Sequence, residues 1–207
     1  MNKILRKLEP NLSFARSNFI SPSFPKNDDG KVLLNIGCGD KTCPEFINID
    51  ARPLANIHII ADNIASLVDF GDGTVDLIYM SHVLEHVKRG DLKRVLVEMK
   101  RVLKNSGVIR FSVPDFDRLI EVYNLSGKDI NAISQQLMGG QDDEYNIHYC
   151  VFNQQYLSKL LKDVGFQKVV EWDPDNCSYH NFKDCASRAL TVNGKKYRIS
   201  LNLEAIK

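Results

Sequence analysis

The chain has 207 residues, of which 43% are hydrophobic and 26% are charged, with 12 glycines and 7 prolines. This length and composition predict one soluble globular domain and argue against a disordered, collagen-like or fibrous chain. The 27 lysines and arginines balance the 26 aspartates and glutamates, so the net charge is +1. A nearly neutral chain has no long-range field that attracts nucleic acid or an anionic membrane, and we expect neither as a partner.

The five cysteines are an odd number and include no C-x-x-C pair, so reduced thiols are expected. The first nine residues carry too much charge for a secretory signal, and no stretch approaches the roughly 20 apolar residues of a membrane span. The sequence therefore predicts a cytoplasmic protein, monomeric or homodimeric, without an integral membrane segment.

Seven strands are predicted in chain order. Residues 1–30 show little regular pattern and end in turn-forming residues, so we expect an N-terminal flap there. The first strand is an apolar run that ends in Gly37-Cys38-Gly39, as is typical of a buried strand that enters a glycine turn. The predicted strands are residues 32–36, 46–50, 57–61, 75–80, 108–113, 167–172 and 197–205.

Helices are predicted between some of these strands. Apolar residues at helical spacing indicate a helix that begins after Asp91, its expected N-cap, and ends before Gly107. A second helix is predicted over residues 154–164 and is closed by Gly165. Alternating strands and helices indicate an α/β fold with a mostly parallel sheet covered on both faces.

Three connections depart from this alternation. Only residues 37–45 separate the first two strands, which is short for a crossover, so the first helix should be abbreviated or the second strand should begin elsewhere. Residues 115–150 are expected to form an insertion over the carboxyl ends of the strands. Residues 173–196 are polar and show no clear helix, so we expect the last two strands to pair antiparallel.

Polar residues follow the strands at their carboxyl ends, where an open α/β sheet binds its ligand. Gly37 and Gly39 would let the main chain approach a ligand closely. Asp50 could accept hydrogen bonds from a ribose diol, because an ionised carboxylate is only an acceptor. Asp62 could accept from an adenine amino group, with the Asn63 backbone N–H available to a ring nitrogen.

In their order and spacing these residues resemble the class I S-adenosylmethionine-dependent methyltransferases. The matching segments are residues 33–39, 48–50, 61–63, 75–87 and 103–109. The resemblance implies a three-layer Rossmann-like sandwich with strand order 3-2-1-4-5-7-6, in which the last strand is antiparallel. It also implies that S-adenosylmethionine binds across strands one and two.

The resemblance also implies a set of cofactor contacts, running from the methionine part through the ribose and adenine to the sulfonium side. These residues are Asn35, Gly37, Cys38, Gly39, Asp50, Asp62, Asn63, Ser81 and His82. Asn35 stands where the family often has an acidic residue, which removes a charge near the cofactor's amino group. Its amide oxygen can still accept a hydrogen bond.

A narrower similarity concerns the acceptor. Residues 34–39 followed closely by 46–50, together with 139–141, Asn146, His148 and the segment 200–207, are similar to methyltransferases of bacterial surface-polysaccharide synthesis. This implies a sugar, a nucleotide-sugar or a lipid-linked glycan as acceptor. A general base would help to deprotonate its hydroxyl group. The candidates are His148, His82 and Asp115, and no metal is expected.

Three alternatives stay open on the same residues. His82-x-x-Glu85-His86 also spells an inverted zinc-protease motif, although it follows a strand directly instead of lying within a helix. An NAD-dependent oxidoreductase also uses a glycine turn, but Thr42 replaces the last glycine of G-x-G-x-x-G, and the strand-end aspartate comes early for that motif. A non-catalytic relative that keeps the cofactor pocket is the third, because of Asn35.

Overall fold

The computed structural model describes residues 25, 27, 29–41 and 43–207. Within this part the strands are β1 (Leu33–Ile36), β2 (Ile47–Asp50), β3 (Ile59–Ile60), β4 (Val75–Ser81), β5 (Leu103–Pro114), β6 (Lys168–Glu171), β7 (Ala189–Val192), β8 (Lys195–Arg198) and β9 (Ser200–Ile206). The α-helices are α1 (Leu92–Val102), α2 (Phe116–Leu125), α3 (Ser134–Met138) and α4 (Gln154–Val164). The predicted N-terminal flap, residues 1–30, lies almost wholly outside the described residues.

Seven strands form one sheet in the order β3-β2-β1-β4-β5-β9-β6. The first five run parallel, and β9 pairs antiparallel with both β5 and β6. With β9 as the seventh strand of the sheet, this is the predicted Rossmann-like order, and the predicted antiparallel pairing of the last two sheet strands is confirmed. Among the described residues, no helix has the length and apolarity needed to cross a membrane.

Several predicted boundaries were wrong. The last predicted strand, residues 197–205, is split between β8 and β9, and β8 pairs with β7 in a separate hairpin. The hairpin turn is Asn193-Gly194, both with positive φ (51° and 76°), which is the preferred pair for a type I′ turn. The strand predicted over 57–61 shrinks to β3. Gly107 lies inside β5, because this strand begins directly after α1.

The predicted N-cap of α1 is also corrected. Asp91 occupies the N-cap position, but its side chain makes no capping hydrogen bond. Its carboxylate instead lies 3.5 Å from the Arg94 guanidinium. The helix is held by its buried face, since Leu92, Val95, Leu96, Met99 and Val102 are all buried in the main core.

Side chains alternate between the two faces of the sheet. Leu34 and Ile36 belong to the core that the sheet shares with α1 and α4, while Leu33 belongs to a second core on the other face. This second face is covered by residues 173–188, which include the 3₁₀ helix Cys185–Ser187. Segment 173–188 is therefore a structural cover and more than the polar connection that its composition indicates.

Turns replace helices in the first part of the sheet. The described residues between β1 and β2, 37–41 and 43–46, contain no helix, abbreviated or otherwise. The second expectation holds in part, because β2 begins at Ile47, one residue later than predicted. The insertion, in contrast, contains α2, α3 and the 3₁₀ helix Ile130–Ala132. Residues 139–150, which we term the returning loop, lead from α3 back to the sheet. This loop is anchored beside β4, because the backbone N–H groups of Tyr149 and Cys150 donate to the Glu85 carbonyl at 2.8 and 3.2 Å.

Candidate functional site

A cavity of about 310 Å³ lies at the carboxyl ends of β1, β2 and β4, where an open α/β sheet binds its ligand. Five of the nine predicted cofactor residues line it: Gly37, Asp50, Asp62, Asn63 and His82. Sequence reasoning missed Arg52, Lys88 and Arg94, which also line it. Arg52 follows the strand-end Asp50 by two residues, a spacing that would have indicated an ion pair. Nothing comparable in the sequence around Lys88 or Arg94 indicates that these residues line the cavity.

The glycine turn after β1 forms the floor of this cavity. Gly37 has a φ of 65°, and a Cβ atom there would lie 2.3 Å from Val83 Cγ2, so any other side chain would both strain the backbone and clash. The Gly37 N–H donates to the Ile49 carbonyl at 2.7 Å, and the Gly39 N–H donates to Asp50 Oδ2 at 2.8 Å. These bonds hold the turn of β1 against the end of β2.

Asp50 is almost completely buried, with 7% of its side chain exposed, yet its carboxylate borders the cavity. Oδ2 accepts the Gly39 N–H, and Oδ1 accepts the backbone N–H and the Nε–H of Arg52 at 3.0 and 3.1 Å. A carboxylate offers about four acceptor positions, and three are used here. The Arg52 side chain is 41% exposed, so it is the partner that a ligand can displace most easily.

The adenine-side candidates lie at the exposed rim of the cavity. Asp62 and Asn63 follow β3 directly and are both exposed. The Asn63 side chain is engaged locally, because its Oδ1 accepts the Ala65 N–H at 3.1 Å. A ligand at this rim would therefore meet the Asp62 carboxylate and the main chain of Asn63.

The other four predicted cofactor residues do not line the cavity. Asn35 lies on the opposite face of β1, where its Nδ2 is 3.2 Å from Cys43 Sγ and 3.4 Å from Asn48 Oδ1. The Cys38 side chain is buried, and burial raises the pKa of its thiol to about 12. Gly39 contributes to the site only through its backbone N–H, which donates to the Asp50 carboxylate. The Ser81 hydroxyl is buried without a hydrogen-bond partner.

His82 stands in a strained turn directly after β4, with a φ of 52°, and strained residues of this kind cluster at functional sites. Its Nδ1 lies 3.2 Å from Glu85 Oε1, and its Nε2 lies 2.9 Å from Ser200 Oγ. Glu85 is completely buried. Burial acts to raise the pKa of Glu85, but its interactions with His82 and His86 outweigh this and lower it.

The other two candidate bases occupy different surroundings. His148 is half-buried on the returning loop, and its ring centroid lies 4.7 Å from that of His86, which lines the cavity. Burial lowers the pKa of His148. Asp115 caps α2 through the Asp117 N–H at 3.1 Å and lies 3.1 Å from Arg118 Nε. It does not line the cavity, and burial raises its pKa.

The zinc-protease motif does not adopt the geometry that it requires. Only Leu84–His86 form a helical turn, a 3₁₀ helix, and His82 lies before it in the strained turn. In the inverted motif both histidines project from one face of an α-helix toward one ion. Here His82 contacts Glu85 and Ser200 instead.

Residues 6–171 match the sequence model of a family described as the methyltransferase domain. This is most of the chain, so the chain belongs to the methyltransferase domain family. It is an enzyme of the S-adenosylmethionine-dependent class that the fold, the glycine turn and the strand-end aspartate indicate. The oxidoreductase and zinc-hydrolase alternatives are therefore wrong. No curated protein matches the chain in sequence.

Solved structures share the fold at low sequence identity. A SAM-dependent methyltransferase from Archaeoglobus fulgidus has a TM-score of 0.54 and 16% identity, over 100% of this chain and 95% of its own. Another from Methanosarcina mazei has a TM-score of 0.51 and 18% identity, over 91% and 98%. The 1,6-didemethyltoxoflavin-N1-methyltransferase of Burkholderia thailandensis, solved with S-adenosylhomocysteine, has a TM-score of 0.53 and 14% identity, over 97% and 78%.

Proposed function

We propose that this chain binds S-adenosylmethionine in the cavity and transfers its methyl group to a hydroxyl oxygen of a sugar, a nucleotide-sugar or a glycan. The observation that carries the proposal is the juxtaposition of the bare Gly37 main chain with the buried Asp50 carboxylate at the edge of the cavity. Asp50 has about one acceptor position free, and displacement of the exposed Arg52 side chain would provide another, so a ribose diol fits.

The remaining cofactor contacts follow from positions around the cavity. The main chain of Gly37 would contact the methionine part, and Asp62 with the Asn63 backbone would contact the adenine. Cys38 and Gly39 would contribute through the main chain of the same turn. His82 would lie toward the sulfonium, because it lines the cavity at the end of β4. Asn35 and Ser81 have no place in this proposal as direct contacts, because neither lines the cavity.

The bound cofactor supplies a methyl group on a sulfonium, an electrophile that an oxygen nucleophile can displace. The residues of the chain position the acceptor, exclude water and receive the proton that the hydroxyl loses as its new O–CH₃ bond forms. His82 is the base that we favour, because it is the candidate that lines the cavity. Its two ring nitrogens contact Glu85 and Ser200, so one of these contacts would have to be exchanged for the acceptor hydroxyl. His148 is set back behind His86, and Asp115 is engaged in capping α2.

The proposed class of acceptor is supported by three side chains that line the cavity away from Gly37 and Asp50. Tyr145, from the insertion, lines the cavity with 45% of its surface exposed and offers an aromatic face to the apolar side of a sugar ring. Lys88 and Arg94 are exposed at the same rim and would pair with the phosphates of a nucleotide-sugar.

We interpret the whole chain as one methyltransferase domain. Because Tyr145 belongs to the insertion and lines the cavity, residues 115–150 form the acceptor-site insertion in this interpretation.

The test is methyl transfer from radiolabelled S-adenosylmethionine to a panel of sugars, nucleotide-sugars, glycans, small amines and proteins. We expect labelled product with a sugar-containing acceptor, and at least tenfold less of it with the Asp50→Asn variant at a cofactor concentration below saturation. Asp163→Asn, an exposed aspartate on α4, is the matched control and should retain activity. Activity confined to an amine or a protein would contradict the proposed acceptor, and so would cofactor binding without transfer to any sugar-containing acceptor.

A further inference from the structure

Beside the cavity, three side chains form what we term the Glu-His cluster: Glu85, His86 and His148. Each offers one ligand atom, and these atoms all lie within 4.8 Å of one another. The cluster joins the turn after β4 to the returning loop of the insertion. Of its members, His86 also lines the cavity, so the cluster is accessible from the side where the acceptor would bind.

The Glu85 carboxylate is the strongest evidence in this cluster for a bound cation. It is completely buried, and neither of its carboxylate oxygens has a hydrogen-bond partner. Oε1 does lie 3.2 Å from His82 Nδ1, but without the alignment of a hydrogen bond. Buried charges are normally paired, hydrogen-bonded or bound to metal ions. The pairing of Glu85 is limited to the His82 ring beside Oε1, which leaves Oε2 without a hydrogen-bond partner and available to a cation.

The two histidines of the cluster are oriented as metal ligands are. Nδ1 of His86 lies 3.0 Å from the Ile147 carbonyl oxygen, and Nδ1 of His148 lies 3.0 Å from the Gln136 carbonyl oxygen. Since a carbonyl oxygen can only accept, each Nδ1 carries the proton and each Nε2 keeps its lone pair in the neutral ring. Metal-binding histidines show the same outer contact, which fixes the ring and its tautomer.

The backbone holds this arrangement closely. The His148 N–H donates to the Met138 carbonyl at 3.2 Å. Gly139 has a φ of 79°, and a Cβ atom there would lie 2.3 Å from the Asn146 carbonyl oxygen and 3.1 Å from His148 Cδ2. The bare glycine therefore allows the returning loop to set His148 against His86.

We propose that Glu85, His86 and His148 bind a divalent transition-metal ion through the Glu85 carboxylate and the two Nε2 atoms. Imidazole and carboxylate together suit ions such as Zn²⁺ and Mn²⁺. Ligand atoms at about 2.0–2.2 Å from one ion in tetrahedral geometry lie about 3.3–3.6 Å apart. Separations of up to 4.8 Å in the cluster would therefore shorten by as much as about an ångström when the ion binds.

This ligand set differs from both sequence expectations. No metal was expected, and the zinc-protease alternative paired His82 with His86, whereas here His148 replaces His82. Three protein ligands leave at least one position open, which is typical of catalytic sites. The open position would hold the acceptor oxygen and favour its deprotonation. This last step rests on the proposed function, and in it His148 is a ligand and not the base.

The test is calorimetric titration of the chelator-treated full chain with ZnCl₂ and with MnCl₂, without cofactor or acceptor. We expect about one ion per chain and a dissociation constant at least tenfold weaker in Glu85→Gln and in His148→Gln. Glu144→Gln, an exposed carboxylate on the same insertion, is the matched control and should bind as the wild type does. Absorption of the Co²⁺-loaded protein should show nitrogen and oxygen ligands without thiolate charge transfer.

Two results would overturn the metal site. One is the absence of binding by either ion, and the other is binding that both variants leave unchanged, which would place the ion elsewhere. Thermal melts and circular dichroism check that the variants are folded. S-adenosylmethionine affinity is measured in parallel, so failure of the cofactor proposal shows in the wild type independently of the metal. Methyl transfer that survives chelation would exclude the acceptor role of the ion.

Discussion

Arg52 and Asp50 form an ion pair at the cavity, in which Arg52 Nε lies 3.1 Å from Asp50 Oδ1. The pair is unequal, since 41% of the arginine side chain is exposed and only 7% of the aspartate side chain is. Asp50 is fixed by the Gly39 and Arg52 backbone N–H groups, whereas the guanidinium is attached at an oxygen that a ribose would use. If the ribose binds Asp50 as we propose, cofactor binding competes with this ion pair.

Replacement of Asp50 by alanine should weaken S-adenosylmethionine binding by at least tenfold. Hydrogen bonds to a charged group contribute about 1.5–3 kcal/mol, which corresponds to roughly 10- to 150-fold in affinity. Calorimetric titration measures the change, and the denaturation midpoint shows whether the variant folds. An affinity that stays within twofold would remove the ribose contact from our proposal.

Replacement of Arg52 by methionine should strengthen cofactor binding modestly. The ion pair is partly exposed, so its loss releases at most about 1 kcal/mol, or roughly fivefold in affinity. Methionine keeps the backbone N–H that Asp50 accepts. The same titration applies, and a clear loss of affinity would mean that the guanidinium contacts the cofactor directly.

Replacement of Gly37 by alanine should destabilise the protein by about 2 kcal/mol or more. A left-handed backbone costs a non-glycine residue roughly 1–2 kcal/mol, and the clash with Val83 adds to this. Gly127→Ala is the matched control, because Gly127 has a φ of 77° and a Cβ atom there would meet no other atom within 4 Å. Urea denaturation should show the larger loss for Gly37→Ala, and Val83→Ala should recover part of it. Equal losses in the two glycine variants would refute the clash.

The stability of the protein should decrease as the pH is lowered through about 6.5, the ordinary pKa of histidine. His180 is buried among Tyr79, Trp172 and Phe182. Burial lowers its pKa against the opposing effect of Asp184, whose Oδ1 lies 3.8 Å away. Below about pH 6.5 the unfolded chain binds a proton that the folded chain does not, so acid favours unfolding until the folded pKa is reached.

His180→Phe should reduce this loss without removing it, because burial also lowers the pKa of His148. The measurement is the free energy of unfolding at pH 5, 6, 7 and 8 for both proteins. We compare how steeply the free energy of unfolding changes with pH in the two proteins. An effect of the substitution on packing that is the same at every pH does not alter this slope. Parallel curves for the two proteins would show that His180 does not titrate as we expect.

The cysteines should react slowly with a thiol reagent at pH 8 in the folded protein. Burial is the main cause that raises the pKa of each thiol, to about 12 for Cys38 and Cys43 and in the same direction for Cys150, Cys177 and Cys185. Only the thiolate is an effective nucleophile. Disulfide-exchange labelling followed by mass spectrometry should give five modified cysteines only after unfolding. Rapid modification of Cys38 in the folded chain would contradict its burial.

The order of the sheet was implied only by the family resemblance, whereas the glycine turn and the strand-end aspartate could be predicted from the sequence pattern. Each depends on a local signal, such as the apolar run before Gly37 or the helical spacing of α1, and the resemblance joined these signals into one fold. The β7–β8 hairpin was missed although its Asn193-Gly194 turn is a local signal. The prediction treated residues 173–196 as one polar connection and so did not separate the two short strands.

Other features follow only from the tertiary structure. The direction of the Asn35 side chain depends on which face of β1 meets the main core, and the cover formed by residues 173–188 depends on packing against Tyr79. The sequence by itself determined the class of the fold and the position of Asp50, because short-range apolar patterns decide which segments form strands, although the ends of several strands differ from the prediction. Only the tertiary structure decided that His148 lies against His86 and near Glu85, because this placement requires a loop distant in sequence to pack at the sheet edge.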